Sequence, residues 1–141
     1  ALAEAAKLVP RGVVCLVSAL AFHDLTDRIP SKVWLAIGRK DWRPRIAHPP
    51  IRVVRFPPER LETGLRVHDV EGVPVRITDP AHTVVDLFRY RQHVGQDLAV
   101  AGLKEALRTR RATPAEIARI AADAGIWSVM RPYLEALTID G

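Results

Sequence analysis

The residues best suited to chemistry are cations, and they are gathered in one part of the chain. Residues 28–55 include eight Lys and Arg residues and a single acid, Asp41, so this stretch carries a charge of +7, against +5 for the whole chain. Arginine binds phosphate oxygens through its forked guanidinium, and an exposed Trp can stack on a partner or anchor it. The sequence therefore predicts a surface for an anionic partner, either DNA or an acidic protein surface. The candidate binding residues are Arg39, Lys40, Trp42, Arg43, Arg45, Arg52 and Arg55.

Most of these candidates fall in a predicted loop over residues 38–50, which contains three prolines. Arg52 and Arg55 fall on the strand predicted next, over residues 51–56, where we expect them on one face of the strand or along its edge. The alternative interpretation is a solvated charged loop with Trp42 folded back over the protein as a lid.

The remaining titratable residues form no recognised catalytic pattern. The chain has no glycine-rich phosphate-binding loop, no GxSxG motif and no HExxH motif. The histidines and the single cysteine, Cys15, lack the spacing of metal ligands, so neither a metal nor another cofactor is predicted. Cys15 lies in an apolar run and is predicted to be a buried, unreactive thiol. His23, at the end of that run, is expected to satisfy a backbone carbonyl near a helix C-terminus, with a role in a site as the alternative.

The acids leave one enzymatic alternative open. Asp69 and the glutamate two residues later lie on a predicted strand and its turn, where a nuclease-like metal site could form. No acid-X-Lys pattern follows on a neighbouring strand, so we expect a protein that is not an enzyme, with a metal-dependent nuclease as the alternative. Asp79 is predicted to cap a helix, and Asp86 to pair locally with Arg89 or Tyr90.

The composition is that of one folded domain. With 141 residues, 48% of them hydrophobic, the chain is expected to form a single domain over residues 1–141, with a helical subregion over residues 95–141. The uncharged run of residues 13–22 is shorter than the roughly 20 residues that a membrane span needs, so no membrane partner is expected. A single cysteine fits the reducing cytoplasm, which is the predicted location. The chain begins without methionine, which predicts a fragment of a longer protein.

The apolar run is also the segment around which the chain is organised. Its valines favour a strand and its leucines and alanines favour a helix; we predict a helix over residues 13–25. A short amphipathic helix precedes it over residues 2–9. Four strands are predicted after it, and a tight Glu71-Gly72 turn joins the last two as a hairpin. These strands cover residues 32–37, 51–56, 65–70 and 73–77.

The second half of the chain is predicted to be helical. Thr78 or Asp79 is predicted to be the N-cap of a helix that has Pro80 at its first position and runs to about residue 90, and another helix covers residues 98–111. Residues 113–116 match a capping box and open a helix to residue 124. The last helix contains Pro132 and is expected to begin near Arg131, because proline is tolerated only in the first turn.

These elements predict an α+β fold: a small, mostly antiparallel or mixed sheet of about four strands, covered by helices and followed by a helical C-terminal part. An apolar stripe on the last helix is expected to be core, with a docking edge as the alternative. The stripe consists of Trp127, Met130, Tyr133, Leu134 and Leu137.

Five stretches of the chain resemble the C-terminal domain of AbiEi-type proteins, the antitoxins of type IV toxin–antitoxin systems, also described as predicted transcriptional regulators of viral defence. The stretches cover most of the chain in the family's order. They are VPRGVVCLVSALAFHDL, PSKVWLAI, IRVVRF, GVPVRITDPAHTVVDLF and VMRPYLEAL, over residues 9–25, 30–37, 51–56, 72–88 and 129–137. The chain departs from the family at Asp24, where members usually have Gly.

The resemblance implies a non-enzymatic antitoxin that represses its own operon and counteracts a nucleotidyltransferase-like toxin. Family members carry a winged helix-turn-helix ahead of this domain, and that module is not part of this chain. We therefore expect only weak DNA binding by this domain, through phosphate contacts, with the toxin and a second copy of the chain as further partners. A pure dimerisation scaffold is the remaining alternative.

Overall fold

A computed structural model describes residues 1–139 and places five strands in one mixed sheet, which confirms the α+β class. The strands are β1 Val13–Val14, β2 Val33–Gly38, β3 Ile51–Phe56, β4 Leu65–Val70 and β5 Val73–Thr78. The helices are α1 Leu2–Leu8, α2 Leu16–Phe22, α3 Pro80–Arg89, α4 Arg91–Val94, α5 Gln96–Arg108, α6 Pro114–Asp123 and α7 Trp127–Ile139, with a 3₁₀ helix over Pro58–Leu61.

The strand order is β3-β2-β1-β5-β4, with β1 at the centre. Strand β1 is antiparallel to β2 and parallel to β5, where Val14 lies opposite Ile77. The prediction of one helix over residues 13–25 is therefore wrong at its start, since Val13 and Val14 complete the sheet before α2 begins. Their β-branched side chains suit a strand buried on both faces. The sheet consequently has five strands instead of about four.

The two faces of the sheet bury different sets of side chains. The face covered by α1, here called the α1 face, carries a small cluster that includes Leu35, Val75 and Ile77, with Ala19 from α2 packed on it. The opposite face, here called the α3 face, carries the larger core, which includes Phe56 from the sheet and Phe88 from α3. Helix α2 contributes to both clusters, so the apolar run joins the two halves of the core.

The helix starts predicted for α3 and α6 are confirmed. The Asp79 carboxylate accepts the backbone N–H of His82 at 2.8 Å, with Pro80 in the first turn of α3. The Thr113 hydroxyl accepts the N–H of Glu116, and the Glu116 carboxylate accepts that of Thr113, as a capping box requires. Both caps satisfy N–H groups that have no partner within a helix.

The start of the last helix differs from the prediction, because α7 begins at Trp127 and holds Pro132 in its interior. Proline removes the hydrogen bond that the carbonyl of Ser128 would accept. Ser128 and Pro132 are both exposed, so water can donate a hydrogen bond to that carbonyl instead. The helical C-terminal subregion consists of α5, α6 and α7, and the last two residues of its predicted range, 140 and 141, lie outside the described residues.

Candidate nucleic-acid interface

The basic residues sit mainly on the connection between two neighbouring parallel strands. Strands β2 and β3 pair in parallel, with Val33 opposite Ile51 and Gly38 opposite Phe56. The twelve connecting residues, 39–50, must therefore travel back along a strand of about 20 Å. Twelve residues can span about 40 Å when fully extended, so the connection has length to spare, and it opens with a turn at residues 39–40. We call residues 39–45 the basic loop.

The start of the basic loop is held by Arg55. Its Nη1 contacts the carbonyl oxygens of Gly38 and Asp41 at 2.7 Å and that of Arg39 at 3.2 Å. The Asp41 carboxylate in turn accepts the N–H of Gly38 at 2.7 Å. A Cβ at position 38 would lie 2.8 Å from Asp41 Oδ2, so glycine permits this approach. Arg55, predicted to bind a partner, is placed here to fix the loop.

Arg52 lies on the other side of the same strand. Alternate residues of a strand point to opposite faces, so Arg52 and Arg55 cannot share one. Arg52 lies on the α3 face, where its guanidinium carbon is 5.3 Å from the centre of the Trp34 ring. The expectation of a common face is therefore wrong. The alternative of a shared edge is confirmed, because β3 is an edge strand of the sheet.

The side chains of the basic loop itself are open to solvent. Trp42 is 94% exposed, so the alternative in which it folds back as a lid is wrong. Four cations lie within three residues of it in the sequence, and none of them forms an ion pair among residues 1–139. These cations are Arg39, Lys40, Arg43 and Arg45, all exposed. Five of the seven candidates thus lie on one exposed segment, whose start is held by Arg55.

The His23 side chain forms a hydrogen bond within the protein, but its partner is a different carbonyl from the one expected. Its Nε2 lies 2.7 Å from the carbonyl oxygen of Thr78 on β5, so this nitrogen donates and the ring is in the Nε2–H tautomer. Burial lowers the pKa of His23 from its ordinary value. Cys15 is buried as predicted, and burial raises the pKa of its thiol. A neutral thiol of this kind is a weak nucleophile.

The three aspartates considered in the sequence analysis serve a turn, a helix cap and the core: Asp69, Asp79 and Asp86 respectively. Asp69 accepts the N–H of Gly72 at 2.8 Å within the hairpin. Asp86 does not pair locally as expected; it is fully buried and accepts two hydrogen bonds from Arg60 of the 3₁₀ helix. Sequence spacing offered no signal for this pair, because its members lie 26 residues apart. Among residues 1–139, no group of three or more His, Cys, Asp or Glu side chains is placed to hold a metal ion.

The apolar stripe of α7 packs inward. Met130 and Leu134 are buried, and the other members are partly buried against the core on the α3 face. Arg131, on the exposed side of the helix, pairs with Glu135.

When the chain is compared with known proteins, no family model and no curated protein matches it. Within residues 1–139, no helix has both the length and the apolar character required to cross a membrane.

Proposed function

We propose that this chain is the C-terminal domain of an AbiEi-type antitoxin, a non-enzymatic cytoplasmic regulator that counteracts a nucleotidyltransferase-like toxin and supports operator binding. The five resembling stretches support the family. The α+β fold is compatible with that proposal. Neither a nuclease nor a pure dimerisation scaffold is favoured by a specific contact of the described residues.

The DNA part of the proposal rests on one observation: the basic loop is exposed and held at its start by Arg55, and its four cations form no ion pair within the described range 1–139. Exposed cations without acidic partners remain available to phosphate, and arginine is suited to two-pronged contacts. Phosphate contacts position a protein on DNA without reading its sequence. Binding by this domain is therefore expected to be weak and independent of sequence, so that an operator would be selected by another module.

The test is a titration of a fluorescein-labelled DNA duplex by fluorescence anisotropy at 50 to 200 mM salt. Four phosphate contacts give a slope of about −3.6 in log K against log salt, and the double variant Arg43→Ala/Arg45→Ala a slope of about −1.8. Over this fourfold rise in salt, affinity should fall about 150-fold for the native chain and about 12-fold for the variant.

A matched control removes two arginines from elsewhere. Arg108 and Arg131 are exposed on α5 and α7 and pair with Glu105 and Glu135. Their double replacement by Ala changes the net charge equally and should leave the slope near that of the native chain. Absence of binding at 50 mM salt, or equal slopes for the two double variants, would refute the DNA part.

The toxin part is tested separately by co-expression with the nucleotidyltransferase-like toxin from the same operon. The proposal expects the chain to restore growth and to co-elute with the toxin in size-exclusion chromatography. Growth arrest despite soluble expression of the chain would contradict it. If Arg43→Ala/Arg45→Ala abolishes the rescue, the basic loop contacts an acidic toxin surface in addition to DNA. Light scattering on the isolated chain reports whether it forms a homodimer.

A further inference from the structure

A second concave surface lies away from the basic loop, where α2 ends beside the β4–β5 hairpin and the start of α3. It is a cleft of about 350 Å³, a size in the lower range of small-molecule sites. Its walls come from segments far apart in sequence, including Phe22, Arg66 and Arg111. No sequence motif links these residues, and only the fold brings them to one cleft.

Two of the lining residues are cations that have no acidic partner within the part of the chain that the structure describes. Arg66 is exposed on β4 and forms no ion pair among residues 1–139. Arg111 is fixed by its own contacts, since its Nη1 donates to the carbonyl oxygen of His23 at 2.9 Å. Two guanidiniums that face one cleft can hold the oxygens of a phosphoryl group between them.

An aromatic wall stands beside these cations. The Phe22 ring lies 4.8 Å from the His68 ring and 5.3 Å from the His23 ring, measured between centres, with edge-to-face angles of 62° and 79°. Phe22 remains 37% exposed, so part of its ring is open to a further planar group. Aromatic side chains of this kind accept nucleobases by stacking.

The two carboxylates in the cleft differ in their availability. Asp79 is engaged, because it accepts the backbone N–H and the Nδ1–H of His82 at 2.8 and 2.9 Å, and hydrogen bonding from His82 lowers the pKa of this carboxyl despite its partial burial. Asp24 is exposed and makes no side-chain hydrogen bond among residues 1–139. A free carboxylate repels inorganic phosphate but accepts hydrogen bonds from hydroxyl or amino groups. The lining therefore suits a ligand with an anionic end and a hydrogen-bond-donating, planar end.

We propose that this cleft binds a nucleoside monophosphate, with the phosphate between Arg66 and Arg111, the base on Phe22 and His68, and Asp24 accepting from the sugar or base. The shared chemistry is a phosphorylated nucleoside, either free or at the 5′ end of a strand.

The test is a titration of the ¹⁵N-labelled full chain with adenosine 5′-monophosphate, cytidine 5′-monophosphate, adenosine and inorganic phosphate, followed by NMR. The two nucleotides should shift amide resonances at residues 22–24, 66–68 and 111. Adenosine and inorganic phosphate should each bind at least about tenfold more weakly, because each lacks one end of the ligand. A lack of shifts up to 10 mM nucleotide overturns the proposal, as does inorganic phosphate that binds as tightly as the nucleotides.

Variants connect the binding to the cleft. Arg66→Gln, at an exposed position that holds no element in place, should weaken nucleotide binding at least about tenfold. Arg111→Gln should do the same, whereas Arg110→Gln, an adjacent and equally charged change outside the cleft lining, should not. Arg43→Ala/Arg45→Ala should leave nucleotide affinity intact, which separates this site from the basic loop. Equal effects of Arg66→Gln and Arg110→Gln overturn the proposal.

A 5′-phosphorylated tetranucleotide and its unphosphorylated form distinguish the two sources of the ligand. An Arg66-dependent preference for the phosphorylated strand assigns the strand end as the source. Equal binding of the two strands, with mononucleotide binding still dependent on Arg66, assigns the free nucleotide.

Discussion

Replacing Arg60 by Met tests the ion pair buried beneath the 3₁₀ helix. Arg60 Nη1 donates to Asp86 Oδ1, and Nη2 donates to Oδ2 at 3.0 Å. The Asp86 side chain is only 2% exposed and that of Arg60 only 14%. Burial raises the pKa of Asp86 above its ordinary value, and the adjacent Arg60 offsets only part of that effect. Met preserves most of the side-chain volume while it removes the charge and both hydrogen bonds.

The expected loss is large because the carboxylate stays in the core. Removing one partner of a buried pair costs about 3–5 kcal/mol. The protein can relieve this cost by protonating Asp86, which at pH 7 requires about 4 kcal/mol for a group with an unfolded pKa near 3.9. The same step requires about 3 kcal/mol at pH 6. The pKa of Asp86 is raised in the folded state above its value in the unfolded chain. The variant therefore regains stability as the pH falls towards the pKa of the unfolded carboxyl. The loss should therefore be about 4 kcal/mol at pH 7 and about 3 kcal/mol at pH 6.

Urea unfolding followed by circular dichroism at both pH values measures this loss. The double variant Arg60→Met/Asp86→Leu should recover most of it, because it also removes the buried carboxylate that the single variant leaves without a partner. Arg108→Met provides the control, as it breaks an exposed pair with Glu105 and should leave the free energy of unfolding close to that of the native chain at both pH values. A loss for Arg60→Met that stays below about 1 kcal/mol at both pH values would refute the reasoning, since Asp86 could then not be a buried, dependent carboxylate.

Three further changes probe the loop anchor, the buried histidine and a helix cap. Arg55→Gln should lower the free energy of unfolding by about 1–2 kcal/mol in urea and weaken DNA binding without changing the salt slope, because Arg55 fixes the loop and does not reach phosphate. His23→Gln keeps a donor for the carbonyl of Thr78 but cannot titrate; because burial lowers the pKa of His23 from 6.5, native stability should fall more steeply than that of the variant as the pH drops from 7.5 to 5.5. Equal slopes for the two proteins would contradict that assignment. Thr113→Ala should cost about 1 kcal/mol in thermal unfolding, and an unchanged midpoint would count against the capping box.

Local signals account for the parts of the fold that were predicted correctly. Strand β3, the hairpin of β4 and β5, and the starts of α3 and α6 depend on residues within a few positions of one another. Turn glycines, caps and alternating side chains act at that range, so a sequence contains them in full. Local signals did not decide the structure of the apolar run. A short uncharged stretch suits both a buried strand and a buried helix, and the division at Cys15 was decided by the gap between β2 and β5 that Val13 and Val14 fill.

By itself the sequence determined where positive charge is concentrated, that Trp42 lies among those cations, and which segments form most of the helices and strands. These are properties of composition and of near neighbours. Only the tertiary structure decided which cations are available: Arg55 donates to carbonyls of the basic loop, Arg52 lies on the opposite face of the sheet, and Arg60 pairs with Asp86. It alone also brought Phe22, Arg66 and Arg111 to one cleft. The physical reason is that the partners of a long side chain are set by the elements packed around it, and those elements come from distant parts of the chain.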